Sequence, residues 1–309
     1  MNLTDLIHII PPDRDEEPED IFASAPGLIF TDDTRNQHGD PGSIIVYKSK
    51  RFGDIELTTV DPEREDERQL FSHYLWNAGI KTAELISSPA AEEAHWSVKG
   101  ERVLELGAGV TTSQDHPEQK RQAHPEQIRT SWRCTADDTK VFITDYPAPA
   151  VLANIRCNSQ GAVPPTLAHR YSVEGHEWGD LTTAFARSHA HSFTRIIAAD
   201  CFWMSGQHES LVQSMLHFLT VGTDGKVFVV SGFHTGRAKL ASFFEAAVGE
   251  GLEIEEIYEE DVYGSGRIWE SERNGRIEDV MERKRWLVIA QLKRRHVDCT
   301  VEAHAKAAH

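Results

Sequence analysis

Glu105, Gly107 and Gly109 stand in the run Val103-Leu-Glu-Leu-Gly-Ala-Gly109, where a short apolar segment meets an acid and then two closely spaced glycines. A buried strand that ends this way lets the backbone turn sharply beneath a ligand, because no Cβ holds the ligand off. Ala108 adds only a methyl group to that loop. A second acid, Asp145, closes Phe142-Ile-Thr-Asp-Tyr-Pro147, and a carboxylate at such a place can accept both hydroxyls of a ribose. Farther on come Trp178, then Ala199-Asp200-Cys-Phe-Trp203, then Phe233 and His234, each just after a strand-like run. All have structural alternatives. Asp145 and Asp200 suit helix N-caps, with Pro147 as the first helical residue behind Asp145. Trp76 and Trp203 suit a core, and His234 suits an ordinary loop histidine.

These residues do chemistry together only if a scaffold gathers the strand ends. Ile44–Tyr47 and Ile55–Val60 read as two strands of a hairpin. From Glu65 to Ser88 the positions Leu70, Phe71, Tyr74, Leu75, Ala78 and Leu85 recur at helical spacing. Strand-like runs follow at Val103–Leu106, Val141–Thr144, Leu167–Val173, Phe193–Ala199, Val227–Ser231, Leu252–Tyr258 and Trp286–Leu292. Helical patterns over Pro147–Asn158, His208–Leu219 and Thr235–Glu250 alternate with them. That order predicts an α/β fold: one Rossmann-like, doubly wound, mostly parallel seven-stranded sheet. The charged excursion Glu259–Lys284, with no helix of its own, separates two final strands and predicts an antiparallel edge strand. We divide the chain into an N-terminal extension (1–90), a core domain (91–295) and a tail (296–309).

Composition narrows the partners. The formal charge of −17 over 309 residues argues against a nucleic-acid surface and against anionic membranes. Four cysteines lack a C-x-x-C pair and point to a reducing compartment without a zinc site. Sixteen histidines include no H-E-x-x-H, so no metal is expected. No run approaches the ~18 apolar residues of a membrane span. The expected location is the cytoplasm, with the nucleus also open, and the oligomeric state is not readable.

Taken with Leu75-Trp-Asn-Ala-Gly79, Leu152-Ala-Asn-Ile155 with Asn158, His176-Glu-Trp-Gly179 and Phe233-His-Thr-Gly-Arg237, the motifs above resemble the class I, seven-strand S-adenosylmethionine-dependent methyltransferases. The nearer likeness is to the lysine and nicotinamide N-methyltransferase-like group, especially its fungal members. The resemblance runs in order over roughly residues 40–293. It implies S-adenosylmethionine as cofactor and a protein lysine or a small amine as methyl acceptor. It also implies that Trp76 lies against the cofactor, that Gly107 to Gly109 pass under its methionine portion with Glu105 among the cofactor-binding residues, and that Asp145 holds the ribose. Trp178 and Ala199 would line the adenine and sulfonium regions. Asp200 and Trp203 stand where the group carries Asp-x-x-Tyr, facing the acceptor, with Tyr74, Phe233 and His234 as further acceptor contacts.

One stretch departs from the pattern. The place of a third glycine is taken by Thr111, and residues 113–140 are polar, with His116-Pro-Glu-Gln119 repeated as His124-Pro-Glu-Gln127. Each proline would cost ~3 kcal/mol inside a helix. A polar insert therefore replaces or displaces the first crossover helix. Two functions stay open at this point. One is an N-methyltransferase. The other is a methyltransferase-like protein with an altered pocket, either a non-methylating enzyme of small-molecule metabolism or a partner subunit. A nicotinamide-dinucleotide dehydrogenase is disfavoured, since Thr112 holds the last place of G-x-G-x-x-G.

Overall fold

The structure is a computed structural model that describes residues 2–11, 37–39, 42–59, 74–91, 95–109 and 138–296. In chain order the elements are β1 (Ile7–Ile10), β2 (Gln37–His38), β3 (Ile44–Ser49), β4 (Gly53–Thr58), β5 (Leu75–Trp76), α1 (Asn77–Ser87), β6 (Arg102–Leu106) and β7 (Lys140–Asp145). There follow α2 (Pro149–Ala162), β8 (Tyr171–Gly175), α3 (Ala184–Ser188), β9 (Arg195–Ala199), α4 (His208–Phe218), β10 (Lys226–Gly232) and α5 (Arg237–Glu250). The last are β11 (Leu252–Asp261), β12 (Gly266–Ile268), α6 (Val280–Lys284) and β13 (Trp286–Arg294).

Among the described residues the main sheet has eight strands in the order β12-β11-β13-β10-β9-β6-β7-β8. Strands β10, β9, β6, β7 and β8 run parallel, and β13 lies antiparallel between β10 and β11. Side chains alternate across a strand, so both faces must be apolar when helices cover both. Val103, Val141, Ile143 and Phe228 pack on one face with Ala78 and Ile80 of α1 and with Val151 and Ile155 of α2. Leu104, Leu106, Ile196 and Val229 pack on the other with Leu211 and Met215 of α4 and with Leu240 and Phe243 of α5. This is the doubly wound layering that the sequence predicts.

Several details differ. The expected antiparallel edge strand is present as the three-residue β12, which pairs with β11 and makes an eighth strand, while β13, also antiparallel, inserts between β10 and β11. Of the helix read over Glu65 to Ser88, the described part holds α1 from Asn77, preceded by Leu75–Trp76, which pair with Gln37–His38 as a short strand. Residues 65–73 lie outside the described residues. Pro165 to Arg170 form a tight 3-10 turn, so β8 starts at Tyr171 rather than Leu167. The cause is local, since Pro165 lacks an N–H for the sheet ladder. The charged excursion does hold a helix, α6, opened by the Asp279 carboxylate accepting from the N–H groups of Met281 and Glu282. The polar insert lies outside the described residues as far as residue 137, and Lys140 already opens β7.

The predicted hairpin is present as β3 and β4, with β1 added alongside. Asn158 of α2 fastens it to the main sheet. Its Oδ1 accepts from the Thr58 hydroxyl at 3.0 Å and its Nδ2 donates to the Thr58 carbonyl at 3.2 Å.

Candidate functional site

The glycine loop leaves the carboxyl end of β6 with φ of +64° at Gly107 and +62° at Gly109. Only glycine adopts that conformation freely. Gly107 is also pressed from two sides. A Cβ there would sit 2.8 Å from the Cys201 Sγ and 2.9 Å from the Trp178 Cζ2. The indole of Trp178 therefore lies on the glycine loop itself. It is held by its neighbours, since the Gly179 N–H donates to the Ser214 hydroxyl and His176 shares that hydroxyl at 3.0 Å. Cys201 and Ser214 carry no motif in the sequence, and only the approach of β9 and α4 to the loop reveals them.

Asp145 closes β7 beside that loop. One carboxylate oxygen accepts the Gly109 N–H at 2.7 Å, and the other accepts the Tyr146 N–H at 2.7 Å. The helix that follows begins at Pro149 from Ala148, so Asp145 is no N-cap and Pro147 does not open α2. The Ala108 N–H donates to the Thr144 carbonyl, and the Thr144 hydroxyl donates to the Glu105 carbonyl. Glycine loop and second acid are thus one hydrogen-bonded unit. Burial pushes the Asp145 carboxyl up to about 6, partly offset by the two N–H donors. Glu105 is pushed up to about 7, first by burial and then by the nearby Asp145 charge. It lines a cavity of about 90 Å³ between α1 and the sheet, with Gly79, Thr82, Ala83, Val103 and Ile197.

Past β9, Asp200 adopts φ +58°, a left-handed conformation that costs a non-glycine residue ~1–3 kcal/mol. Three bonds pin it. Its N–H donates to the Val230 carbonyl, and its Oδ1 accepts from the Ser231 hydroxyl at 2.9 Å and the Gly232 N–H at 3.0 Å. Helix α4 starts at His208, so Asp200 does not cap it. Ala199, just before it, ends β9 half-buried, and Trp203, three residues on, is half-buried too. His234 comes from the turn after β10, with its Nδ1 3.9 Å from the Asp200 Oδ2. Trp76 stacks on the His234 ring with centroids 4.9 Å apart, and Tyr74 meets Trp76 edge-on at 6.1 Å. Phe233 goes elsewhere. It is fully buried, under the Arg237 guanidinium at 4.4 Å and beside Trp269 at 6.1 Å. Its ring belongs to the core, which corrects its assignment as an acceptor contact.

The structure thus brings together two groups of predicted residues. Glu105, Gly107, Ala108, Gly109, Asp145 and Trp178 surround the glycine loop, while Asp200, His234, Trp76 and Tyr74 form a second, contiguous group. Among the described residues no cluster of three or more His, Cys, Asp or Glu side chains is arranged to hold a metal ion. No helix of the described residues is long and apolar enough to cross a membrane.

No family model matches the chain. Among solved structures, a glycopeptide N-methyltransferase complexed with S-adenosylmethionine is 12% identical, with a TM-score of 0.42 over 68% of this chain and 87% of that one. A [4+2]-cyclase has the same score and identity over 72% of this chain and 83% of its own. Likeness at that level is loose, and the fold rests on the sheet described above. Sequence relatives are nearer. The protein N-terminal and lysine N-methyltransferase EFM7 of Candida glabrata is 28% identical over 78% of this chain and 83% of its own length. The enzyme of the same name from Yarrowia lipolytica is 30% identical over 70% of this chain and 76% of its own. With that identity and coverage, the chain belongs to the family of protein N-terminal and lysine N-methyltransferases.

Proposed function

We propose that the chain transfers a methyl group from S-adenosylmethionine to an amine of a protein, a lysine side chain or an N-terminus. The observation that carries this reading is the 2.7 Å bond from the Gly109 N–H to the Asp145 carboxylate. It joins a loop that a single Cβ would fill to an acid with lone pairs left for hydroxyls, and that donor set fits a ribose and its chain. Gly107, Ala108 and Gly109 would border the methionine portion, Asp145 the ribose hydroxyls, and Trp178 and Ala199 the adenine and sulfonium ends. Trp76 would close the pocket from β5. Bound there, the cofactor supplies an activated sulfonium methyl, so the chain's own work is placement. Holding the acceptor nitrogen in line ~3 Å from the methyl accounts for much of the rate.

An amine attacks only when neutral. Asp200 and Trp203 would line the acceptor side of the pocket, where the nitrogen is held in line with the methyl. Acidic surface suits a basic protein segment as acceptor, and the scattered cysteines suit a cytoplasmic or nuclear location. We also take residues 1–90 as an extension packed on the methyltransferase domain 91–295, a packing supported by the hydrogen bonds between Thr58 and Asn158. The test is calorimetric titration with S-adenosylmethionine and S-adenosylhomocysteine, followed by mass spectrometry of a protein lysate incubated with enzyme and labelled cofactor. Micromolar binding with methylated lysines or N-termini is the expected result. Absence of binding overturns the proposal.

A further inference from the structure

We infer that His234 receives the proton released by the methylated amine, with Asp200 and Trp76 as positioning residues that set its tautomer and the orientation of its ring. The inference rests on the methyl-transfer reading above and concerns the second residue group of the same site. Three observations converge. The His234 Nδ1 is buried, lacks a hydrogen-bond partner and lies 3.9 Å from the Asp200 Oδ2. The Asp200 backbone is held in a strained left-handed conformation, which the other carboxylate oxygen, Oδ1, helps to fix through Ser231 and Gly232. That leaves Oδ2 for the ring. The Trp76 indole lies nearly parallel to the imidazole, at 22°, so one ring face meets a π cloud.

Each piece has a consequence. A carboxylate beside Nδ1 favours the tautomer with its hydrogen there, which leaves the Nε2 lone pair to accept a proton. About a fifth of the His234 side chain remains exposed, so a substrate group has access to the ring. Once the proton arrives, the imidazolium sits between a carboxylate and an aromatic face, and both attract a cation. The strain at Asp200 fits the same purpose, since unfavourable backbone geometry persists where it aims a functional side chain.

The step balances without another reagent. The acceptor nitrogen uses its lone pair to form the N–C bond, and the pair of the breaking S–C bond stays on sulfur as a neutral thioether. The new secondary ammonium then passes one proton to Nε2 and returns to a neutral amine, and the imidazolium releases that proton to water before the next cycle. Other charges near His234 are accounted for. Arg237, which opens α5, is paired with Glu259 and Glu278. Arg283 of α6 comes within 3.9 Å of where a Gly236 side chain would begin. Asp200 is the carboxylate that faces the ring.

The test has two arms. In the first, the tautomer of His234 is read from its ring nitrogen NMR shifts in the protein without cofactor, in the native chain and in Asp200→Asn. The native ring should carry its hydrogen mainly on Nδ1, and the variant should lose that preference, because it removes the nearby carboxylate. In the second, methyl incorporation into a protein lysate is followed at about pH 8, where Asp145 is ionised, for native enzyme, His234→Gln and His234→Gly. His234→Gln should lower the rate about 100-fold, the low end of general acid–base contributions, with S-adenosylmethionine affinity within twofold. Added imidazole should restore part of the His234→Gly rate. An unchanged His234 tautomer in Asp200→Asn, or no gain in the His234→Gly rate with added imidazole, overturns the inference even if the rate falls. Failure of the native protein to bind the cofactor at all would instead refute the methyl-transfer reading.

Discussion

Asp145→Asn changes one atom of the residue that joins the glycine loop to β7, and its effect can be worked through. Each Asp145 oxygen already accepts one backbone N–H at 2.7 Å. Ribose hydroxyls would therefore take the remaining lone pairs, as charge-assisted bonds worth ~1.5–3 kcal/mol each. The asparagine keeps one neutral acceptor and turns the other into a donor that faces an N–H. It thus loses the charge on both bonds and one bond outright, together about 3 kcal/mol. That weakens binding roughly 100- to 200-fold at ~1.4 kcal/mol per tenfold. Calorimetric titration with S-adenosylhomocysteine measures it directly. The native protein should also show a pH dependence that the variant lacks. Burial raises the Asp145 carboxyl to about 6, so the carboxylate that grips the sugar is progressively lost below that pH and affinity falls with it. If Asp145→Asn stays folded by circular dichroism and binds within threefold of native, the ribose assignment is wrong.

Other outcomes follow from the same geometry. Gly107→Ala forces a left-handed alanine, ~1–2 kcal/mol, and thrusts its Cβ at Cys201 and Trp178. A melt should show a Tm lower by ~3 °C or more, and the accompanying Cys201→Ala should recover only part of it. Arg237→Met leaves the fully buried Glu259 carboxylate with Arg267 and a more distant Arg273. Burial alone would raise Glu259, but Arg237 and Arg267 hold it below the usual range. Removing one partner should cost ~3 kcal/mol, at the low end for broken buried pairs. Calorimetry should then show a Tm drop of about 6–12 °C. Glu105 titrates at about 7 when folded against an ordinary value of 4.5. Its contribution to stability is therefore complete below about 4.5 and lost as pH rises to about 7. Urea midpoints should show Glu105→Gln gaining on the native chain between pH 5 and pH 8, and a constant difference would refute the cause assigned to Glu105.

Local pattern was enough for the scaffold. Alternating apolar runs with helical patterns between them demand two covered faces, and Val103 against Leu104 shows how one strand serves both. Glu105, the two glycines and Asp145 were legible because strand ends in such a sheet share an edge. Phe233 shows the limit. Its place after β10 is the same as that of its neighbour His234, yet the backbone there turns one ring into the core and the other toward Asp200.

What the sequence determined by itself was the long strands of the main sheet, their burial and the chemical types at their ends, since these depend on neighbours within a few residues. Tertiary structure alone decided the rest. The pinching of Gly107 by Cys201 and Trp178, the stacking of Trp76 on His234 and the placing of β13 inside the sheet join residues far apart in the chain. Such contacts depend on how whole elements pack, a choice no local pattern encodes. The physical reason is that close-packed interiors fix side-chain direction through many weak contacts at once, whereas periodicity reports only which face is apolar.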